Sequence, residues 1–502
     1  MPTAPKPTST QRAYDVCVLG SQLGGVAAGA LLARRGFRVL HLDHDGLGRA
    51  YADGGWLLPY GPALLPSPRL FSAGAAVLSE LSLSADVGRL LEPCVPDLQI
   101  LLPRHRLDLW RDEAARLAEL RREFGADAER VAAAIAEAVR LFDAESPFFS
   151  ARPPLPARGI AERWRLSRAR RHSPDGGDGG LAPLADLGEH PLAVALRSAY
   201  PFLAHLDGPP PRLGMVRVLG AILQGTHRLP WGEVGLREAL RRRIAESRGE
   251  LLGSADSPTV AESLDVQRGL VASVRLSDSD DVYRARAFVS ATDAQALRRI
   301  VPGGGEKLAA QLDGVRPARR LLSVNWVVRA HALPSPLGQT ALLSSSSLGE
   351  TLLLQVLPAL RPGRKGNGEA SPEACVLTAG AFIPTRGRDR EAEHIPEHVA
   401  RIRAAVDEYL PFFERQVLLE SVPLLAAEAS RRGTRLLAHP LYEVRLGKML
   451  GVTGLPTRSA IPNLFFAGRE VAPGLGLEGE FHAALQAADR IEAYLGKKPR
   501  PK

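Results

Sequence analysis

The 502-residue chain contains only three cysteines, Cys17, Cys94 and Cys375, which lie far apart and form no C-x-x-C pair. That excludes a disulfide framework and a thiolate metal site. Lysine is also scarce, at seven of the 64 basic residues, and the arginines that make up the rest are spread along the whole chain. The formal charge of +9 and the pI near 9.7 therefore express an arginine bias rather than one basic block. No zinc finger, RNA-binding signature or aromatic-rich basic patch accompanies the charge, so nucleic acid is not expected as a partner. No uninterrupted apolar run of about 18 residues occurs, which argues against a membrane-spanning helix. Residues 1–11 are polar and proline-rich, without the apolar run of a signal peptide, and the expected compartment is the cytoplasm. The histidines have no metal-ligand spacing, no motif supports a Ser-His-Asp assignment, and no repeat of fixed period is evident.

Hydrophobic residues at 45% and charged residues at 24% are globular values, and the length suggests two or three domains. The most informative stretch is the first. Asp15-Val-Cys-Val-Leu-Gly-Ser-Gln-Leu-Gly-Gly-Val reads as a buried strand, a glycine turn over Gly20 to Gly25 and the start of a helix. Ala27, Leu31 and Leu32 continue the helical spacing until Gly36, and Phe37 to Leu42 form a second apolar strand ending at Asp43. In such a unit, glycines bring the backbone close to a pyrophosphate at the helix N-terminus, and the acidic residue accepts from ribose hydroxyls. The same residues also suit an ordinary tight strand-to-helix turn.

Further along, Arg106 to Leu109 reads as a strand, and Asp112 to Phe124 and Ala128 to Phe142 as helices. Ala151 to Gly180 is a break, rich in proline at its start, basic over Arg158 to His172, and rich in Pro, Asp and Gly at its end. Trp231 to Ile244 is amphipathic, with Leu236, Ala239, Leu240 and Ile244 on one face. Leu270 to Leu276 and Val282 to Val289 form a hairpin, followed by Ser290-Ala-Thr-Asp-Ala294. Strands are expected over Leu321 to Val328, Leu352 to Val356 and Val376 to Ala379, and a helix over Ile395 to Tyr409. In the last block a strand ends at Gly468, a glycine-rich turn spans Pro473 to Gly479, and a final helix buries Phe481, Ala484, Leu485, Ala488 and Ile491.

These blocks in this order, Gly20 to Gly25, Asp43, Gly48-Arg49-Ala50, Trp231 to Ile244, Ser290 to Ala294 and Asn463 to Gly479, resemble the phytoene desaturase branch of the FAD-dependent amine oxidoreductase superfamily. The likeness is strongest over Tyr14 to Leu65 and Leu446 to Leu495. It implies an α/β protein in which a Rossmann-like FAD-binding domain (13–70, 215–300 and 455–498) is interleaved with an α+β substrate domain of mixed sheet and helices (71–214 and 301–454). A disordered N-terminus (1–12) and mobile loops at 173–181 and 361–374 complete the expectation. By motif position, Gly20, Ser21, Gly24 and Gly25 would hold the pyrophosphate, with Gln22 and Leu23 in the same cofactor-binding turn, and Asp43 would hold the adenosine ribose. Gly48, Arg49 and Ala50 would meet a phosphate, Val260 and Ala291 would line the cofactor, and Gly468, Arg469, Glu470, Gly476 and Leu477 would approach the ribityl chain and flavin. Two positions depart from the pattern. Gln22 stands at the second glycine site, and Arg469 stands where many relatives have an acidic residue.

The chemistry the resemblance implies is hydride transfer from an apolar substrate, of the isoprenoid or carotenoid class, to FAD. Desaturation also releases a proton, and Glu478, Glu480 and His482 are the candidate acceptors beside the last glycine turn. Acidic residues in a first helical turn also favour the helix dipole with no catalytic role. Two alternatives stay open: an amine or porphyrinogen oxidase of the same superfamily, and a non-catalytic binding protein of the same fold, as in the Rab GDP-dissociation inhibitors. Arg158 to His172, with Ile160, Trp164 and Leu166, could lie on an anionic membrane surface or be a solvated face.

Overall fold

A computed structural model describes residues 12–44, 50–173, 183–229, 232–254, 257, 259–277, 281–345, 350–363, 368–385, 388–426 and 439–496. The chain opens with strand β1 (Arg12–Leu19), helix α1 (Leu23–Arg34) and strand β2 (Val39–Leu42). Leu23 through Ala33 are all buried, as their Gly, Ala, Val and Leu composition requires. A helix with no polar face must be covered on every side. It ends where Gly36 adopts φ +90°, a conformation that favours glycine.

β1 and β2 belong to a seven-stranded sheet completed by β3 (Glu250–Leu252), β4 (Ala261–Gln267), β5 (Leu270–Leu276), β6 (Val282–Ser290) and β7 (Leu464–Phe466). The order β3-β2-β1-β6 is parallel throughout. The outer edge of β6 is shared, its first part pairing antiparallel with β5 and its last part parallel with β7. The expected hairpin of Leu270–Leu276 with Val282–Val289 is this β5–β6 pair. Registers of Leu19 with Leu42 and Ser290, and of Ser290 with Phe466, bring four strand ends level. The next residues, Gly20, Asp43, Ala291 and Ala467, therefore ring one crevice at the carboxyl ends of the strands, where open α/β sheets bind ligands.

The alternation of β1 divides the core. Val16 and Val18 face a cluster with α1, α3 (Glu233–Glu246) and α4 (Gly476–Leu495), while Cys17 and Leu19 face Leu264, Val274, Leu297 and Leu308. A further helix, α2 (Arg212–Leu223), lies between these layers and a second, ten-stranded sheet. That sheet runs Val417–Ser421, Val315–Arg329, Gly368–Pro384, Thr351–Pro362, Thr340–Ser344, Leu98–Leu101 and Arg106–Leu109. Leu441–Val444 pairs with the start of Val315–Arg329, and the hairpin of Tyr51–Asp53 and Trp56–Leu58 joins the sheet through Leu57 opposite Leu360. The result is an α/β protein, a Rossmann-like unit interleaved with a mixed sheet and helices.

The expected loop over 361–374 requires correction. Pro362 pairs with Gly368, Arg361 with Glu369 and Leu360 with Ala370, so a hairpin continues through most of it. Glu369, Ala370, Pro372 and Glu373 are exposed. A hairpin that projects beyond the core needs no apolar face, which is why its composition reads as a loop. Arg158 to His172 is largely a helix, Gly159–Arg170. Residues 174–182, covering most of the expected loop at 173–181, lie outside the described residues, as do 1–11.

Candidate functional site

The crevice is built from the first turn of α1 outward. Gly20 turns the chain at φ +104°, and a Cβ there would lie 2.3 Å from the Ala291 carbonyl oxygen, so the glycine serves the close approach of β1 and β6. Gln22 donates its backbone N–H to that carbonyl at 2.9 Å and precedes α1 in extended conformation. The Gly24 N–H, one of the donors that a helix start leaves unsatisfied, is given to Glu480 Oε2 at 3.0 Å. Cβ atoms on Gly24 and Gly25 would strike Ala467 and Ala291, at 2.2 and 2.0 Å.

At the end of β2, Asp43 accepts from the Ser21 hydroxyl and pairs with Arg241, whose Nη2 also donates to the Gly253 carbonyl at 2.6 Å. Arg237, one turn earlier on α3, donates to the Ser21 carbonyl at 3.2 Å. Among the described residues, Ser21, Asp43, Val234, Arg237, Glu238 and Arg241 line a cavity of about 10 Å³. Thr259 N–H donates to the Asp43 carbonyl at 2.8 Å, placing Val260 beside this corner, and the Val260 carbonyl accepts from Ser277.

On the other side, the turn after β7 carries Gly468, Arg469 and Glu470. The Gln22 carboxamide bridges to it, accepting from Arg469 N–H at 2.9 Å and donating to Glu470 Oε1 at 3.3 Å. A Cβ on Gly468 would sit 1.8 Å from Gln22 Oε1. Glu470 Oε1 also accepts from Ala294 N–H at 3.2 Å. Gly476, at φ +51°, opens α4, and its Cβ would lie 1.8 Å from the Leu203 carbonyl oxygen.

Two cavities meet here. An inner one of about 220 Å³ is lined by Glu233, Arg237, Arg469, Glu480, His205 and His439 with apolar Phe202, Leu475 and Leu477. An outer one of about 430 Å³ is mostly apolar, with Leu57, Leu229, Leu357, Leu360 and Val376 in its wall. Both touch Tyr60, Gly61, Ala63, Leu65, Glu233 and Val234, so they adjoin along one side.

Burial sets the electrostatics of the inner cavity. Desolvation and the facing Glu233 push the Glu480 carboxyl up to about 7, against the pull of Arg469 and the Gly24 N–H. Desolvation and Asp293 push Glu470 up to about 8. Desolvation holds His439 down at about 4, and desolvation, His439 and Arg469 hold His205 well below its ordinary value. Burial disfavours the Arg469 cation, yet Tyr442, Glu480, Glu233 and Glu470 raise it overall. At neutral pH the cavity thus presents the cationic Arg469, neutral imidazoles and, in Glu480, a carboxyl poised near protonation.

Of the three candidate proton acceptors, only Glu480 lines the cavity. Glu478 points away into a fully buried pair with Arg217, and His482 Nε2 lies 2.8 Å from the Pro153 carbonyl oxygen, stacked edge-on to Phe149. Gly20, Ser21, Gln22, Leu23, Gly24, Gly25, Asp43, Ala291, Gly468, Arg469, Glu470 and Leu477 are brought together around the crevice. Gly48 and Arg49 lie outside the described residues, and Ala50 begins the next described segment. Sequence reasoning missed Glu233, Arg237, Arg241, His205 and His439. The spacing of Arg237 and Arg241, four apart on one helix, was the available signal. The two histidines, whose rings lie 4.4 Å apart, are joined only by the fold. Among the described residues no group of His, Cys, Asp and Glu is arranged to hold a metal ion.

This crevice sits in a fold shared with flavin-dependent amine oxidoreductases. Residues 18–81 match the NAD(P)-binding Rossmann-like domain. An oxidoreductase from Methanosarcina mazei aligns over 95% of this chain and 100% of its own, at 13% identity and TM-score 0.56. Cyclohexylamine oxidase from Brevibacterium oxydans aligns over 96% and 99%, at 15% identity and TM-score 0.52. A Rab GDI from Plasmodium falciparum aligns over 96% and 99%, at 11% identity and TM-score 0.52. No curated protein matches the chain. The chain therefore shares its fold with these oxidoreductases and with the Rab GDI. At the α1 turn and the Asp43 corner the chain's own Glu480, Arg237 and Arg241 make the contacts.

Proposed function

We propose that this chain binds an apolar small molecule of isoprenoid type, held in the outer cavity and reaching toward the inner one. The observation that supports this reading is the mostly apolar 430 Å³ chamber adjoining a chamber of buried acids and arginines. Each ligand methylene buried there is worth about 0.8 kcal/mol. The apolar wall offers little to a diamine, so the amine-oxidase alternative is the weaker one. A long-chain isoprenoid should raise the melting temperature of the purified protein and putrescine should not. Leu357→Lys, which places a charge in the chamber wall, should remove the effect. A shift with putrescine alone would overturn the reading.

An apolar ligand also needs a source, and the helix Gly159–Arg170 suits an anionic membrane surface. Ile160 is 90% and Trp164 63% exposed, one turn apart and flanked on the same face by the exposed Arg163, Arg168 and Arg171. Among the described residues no helix is long and apolar enough to cross a membrane. Ile160→Ser/Trp164→Ser should abolish co-sedimentation with phosphatidylserine vesicles, and unchanged sedimentation would reject this contact.

A further inference from the structure

We infer that the dinucleotide groove of this chain is closed by its own side chains, which stand in for the cofactor's pyrophosphate, and that the protein holds no flavin. The closure is seen at three successive stations.

The first is the N-terminus of α1. A helix start offers unpaired N–H groups and a positive dipole end to an anion. Here the acceptor is the chain's own Glu480, 3.0 Å from Gly24 N and only 2% exposed. A pyrophosphate placed there would have to displace this carboxyl from the Gly24 N–H.

The second is the ribose corner. Both Asp43 oxygens are taken, one by the Ser21 hydroxyl and the other by Arg241. Arg237 closes the space between this corner and the α1 turn through the Ser21 carbonyl. Among the described residues this corner holds a cavity of about 10 Å³ between Asp43, Arg237 and Arg241.

The third is the passage toward the flavin position. The Gln22 side chain fills the space a second glycine would leave, and it is bonded at both ends of its carboxamide to Arg469 and Glu470. Gly468 makes room for that carboxamide, since a Cβ there would come within 1.8 Å of it.

These residues form a set. Asp43, Glu233, Glu470 and Glu480 are set against Arg237, Arg241 and Arg469, so the groove supplies its own counter-charges. None of this depends on what enters the outer cavity, so failure of the isoprenoid reading would leave the inference standing.

The test measures bound flavin in the purified full-length chain, and FAD and ADP binding by thermal shift at pH 8, for wild type and Arg241→Gln/Glu480→Ala. The wild type is expected to be colourless and unshifted by either ligand. The double variant, with the Gly24 N–H and Asp43 released, is expected to bind FAD or ADP at least about tenfold more tightly. Should that variant lose its cooperative melt, Gln22→Gly, which opens the passage alone, is read in the same way. Stoichiometric FAD in the wild type would overturn the inference. So would folded variants that bind no better than wild type, because the named side chains would then not be what closes the groove.

Discussion

Replacing Arg217 by Met should destabilise the protein by about 3–5 kcal/mol, the usual cost of leaving one partner of a buried ion pair uncompensated. Arg217 on α2 and Glu478 in the first turn of α4 are both wholly buried, joined by two contacts at 2.7 and 2.9 Å. The guanidinium also donates to the Phe142 carbonyl at 2.5 Å and the Ser146 hydroxyl at 3.0 Å. It lies 3.9 Å from the ring centroid of Phe142 and 4.9 Å from that of Phe149. Burial already raises the Glu478 carboxyl, and only Arg217 opposes it. Without the arginine the carboxylate must take up a proton or stay buried and unpaired. Removing both charges, as Arg217→Met/Glu478→Leu, eliminates the desolvation cost and should recover most of the loss, to within roughly 1 kcal/mol of wild type. The assay is urea denaturation with midpoints compared at unchanged slope. The single variant should also regain stability as pH falls from 8 to 5, because the neutral acid is then the easier one to bury. A single-variant loss below about 1 kcal/mol, or a double variant worse than the single, would refute the argument that the pair acts through compensation of buried charge.

The stability of the wild type should itself fall with rising pH. Glu480 and Glu470 go from 4.5 to about 7 and about 8 on folding, so their contribution is complete below 4.5 and is lost as pH rises through 7 and 8. For Glu480 alone this is roughly 3 kcal/mol, and Glu480→Gln should flatten the melting-temperature profile between pH 5 and 8; a profile of unchanged slope would refute it. Gly476→Ala should abolish soluble expression, since its Cβ meets the Leu203 carbonyl at 1.8 Å and φ is +51°. Gly55→Ala, at φ +81° in open space, should cost only about 1 kcal/mol, and equal losses at the two sites would show that close approach is not the deciding factor.

Much of the crevice was legible in the chain because local rules fix it. The apolar strand, the glycine turn and Asp43 at the end of the next strand need only neighbours in sequence, and β1, α1 and β2 follow them closely. The Trp231 to Ile244 pattern gave the helix and its apolar face but carried no reading of Arg237 and Arg241. They are buried or nearly so because α3 is covered by α1 and by the β2 corner, which periodicity does not report. Glu478, Glu480 and His482 were separable in principle, since residues two apart on a helix point to opposite sides and only one of the neighbours could share a cavity. Which one faced inward depended on Arg217, more than 250 positions away. The strand pairing of 360–362 with 368–370 went unread because its stability comes from cross-strand pairing rather than from an apolar face.

The contacts that finish the crevice also bear on how the chain reaches it. Gly24 and Glu480 are separated by 456 positions, Gln22 and Arg469 by 447, and α1 has no face that water can cover. During synthesis the N-terminal unit must therefore wait, its apolar helix unprotected, until α4 emerges at the far end of the chain. At roughly 5–20 residues per second this exposure lasts on the order of half a minute or more. Such high contact order predicts slow refolding and a dependence on chaperones that a short Rossmann unit would not show.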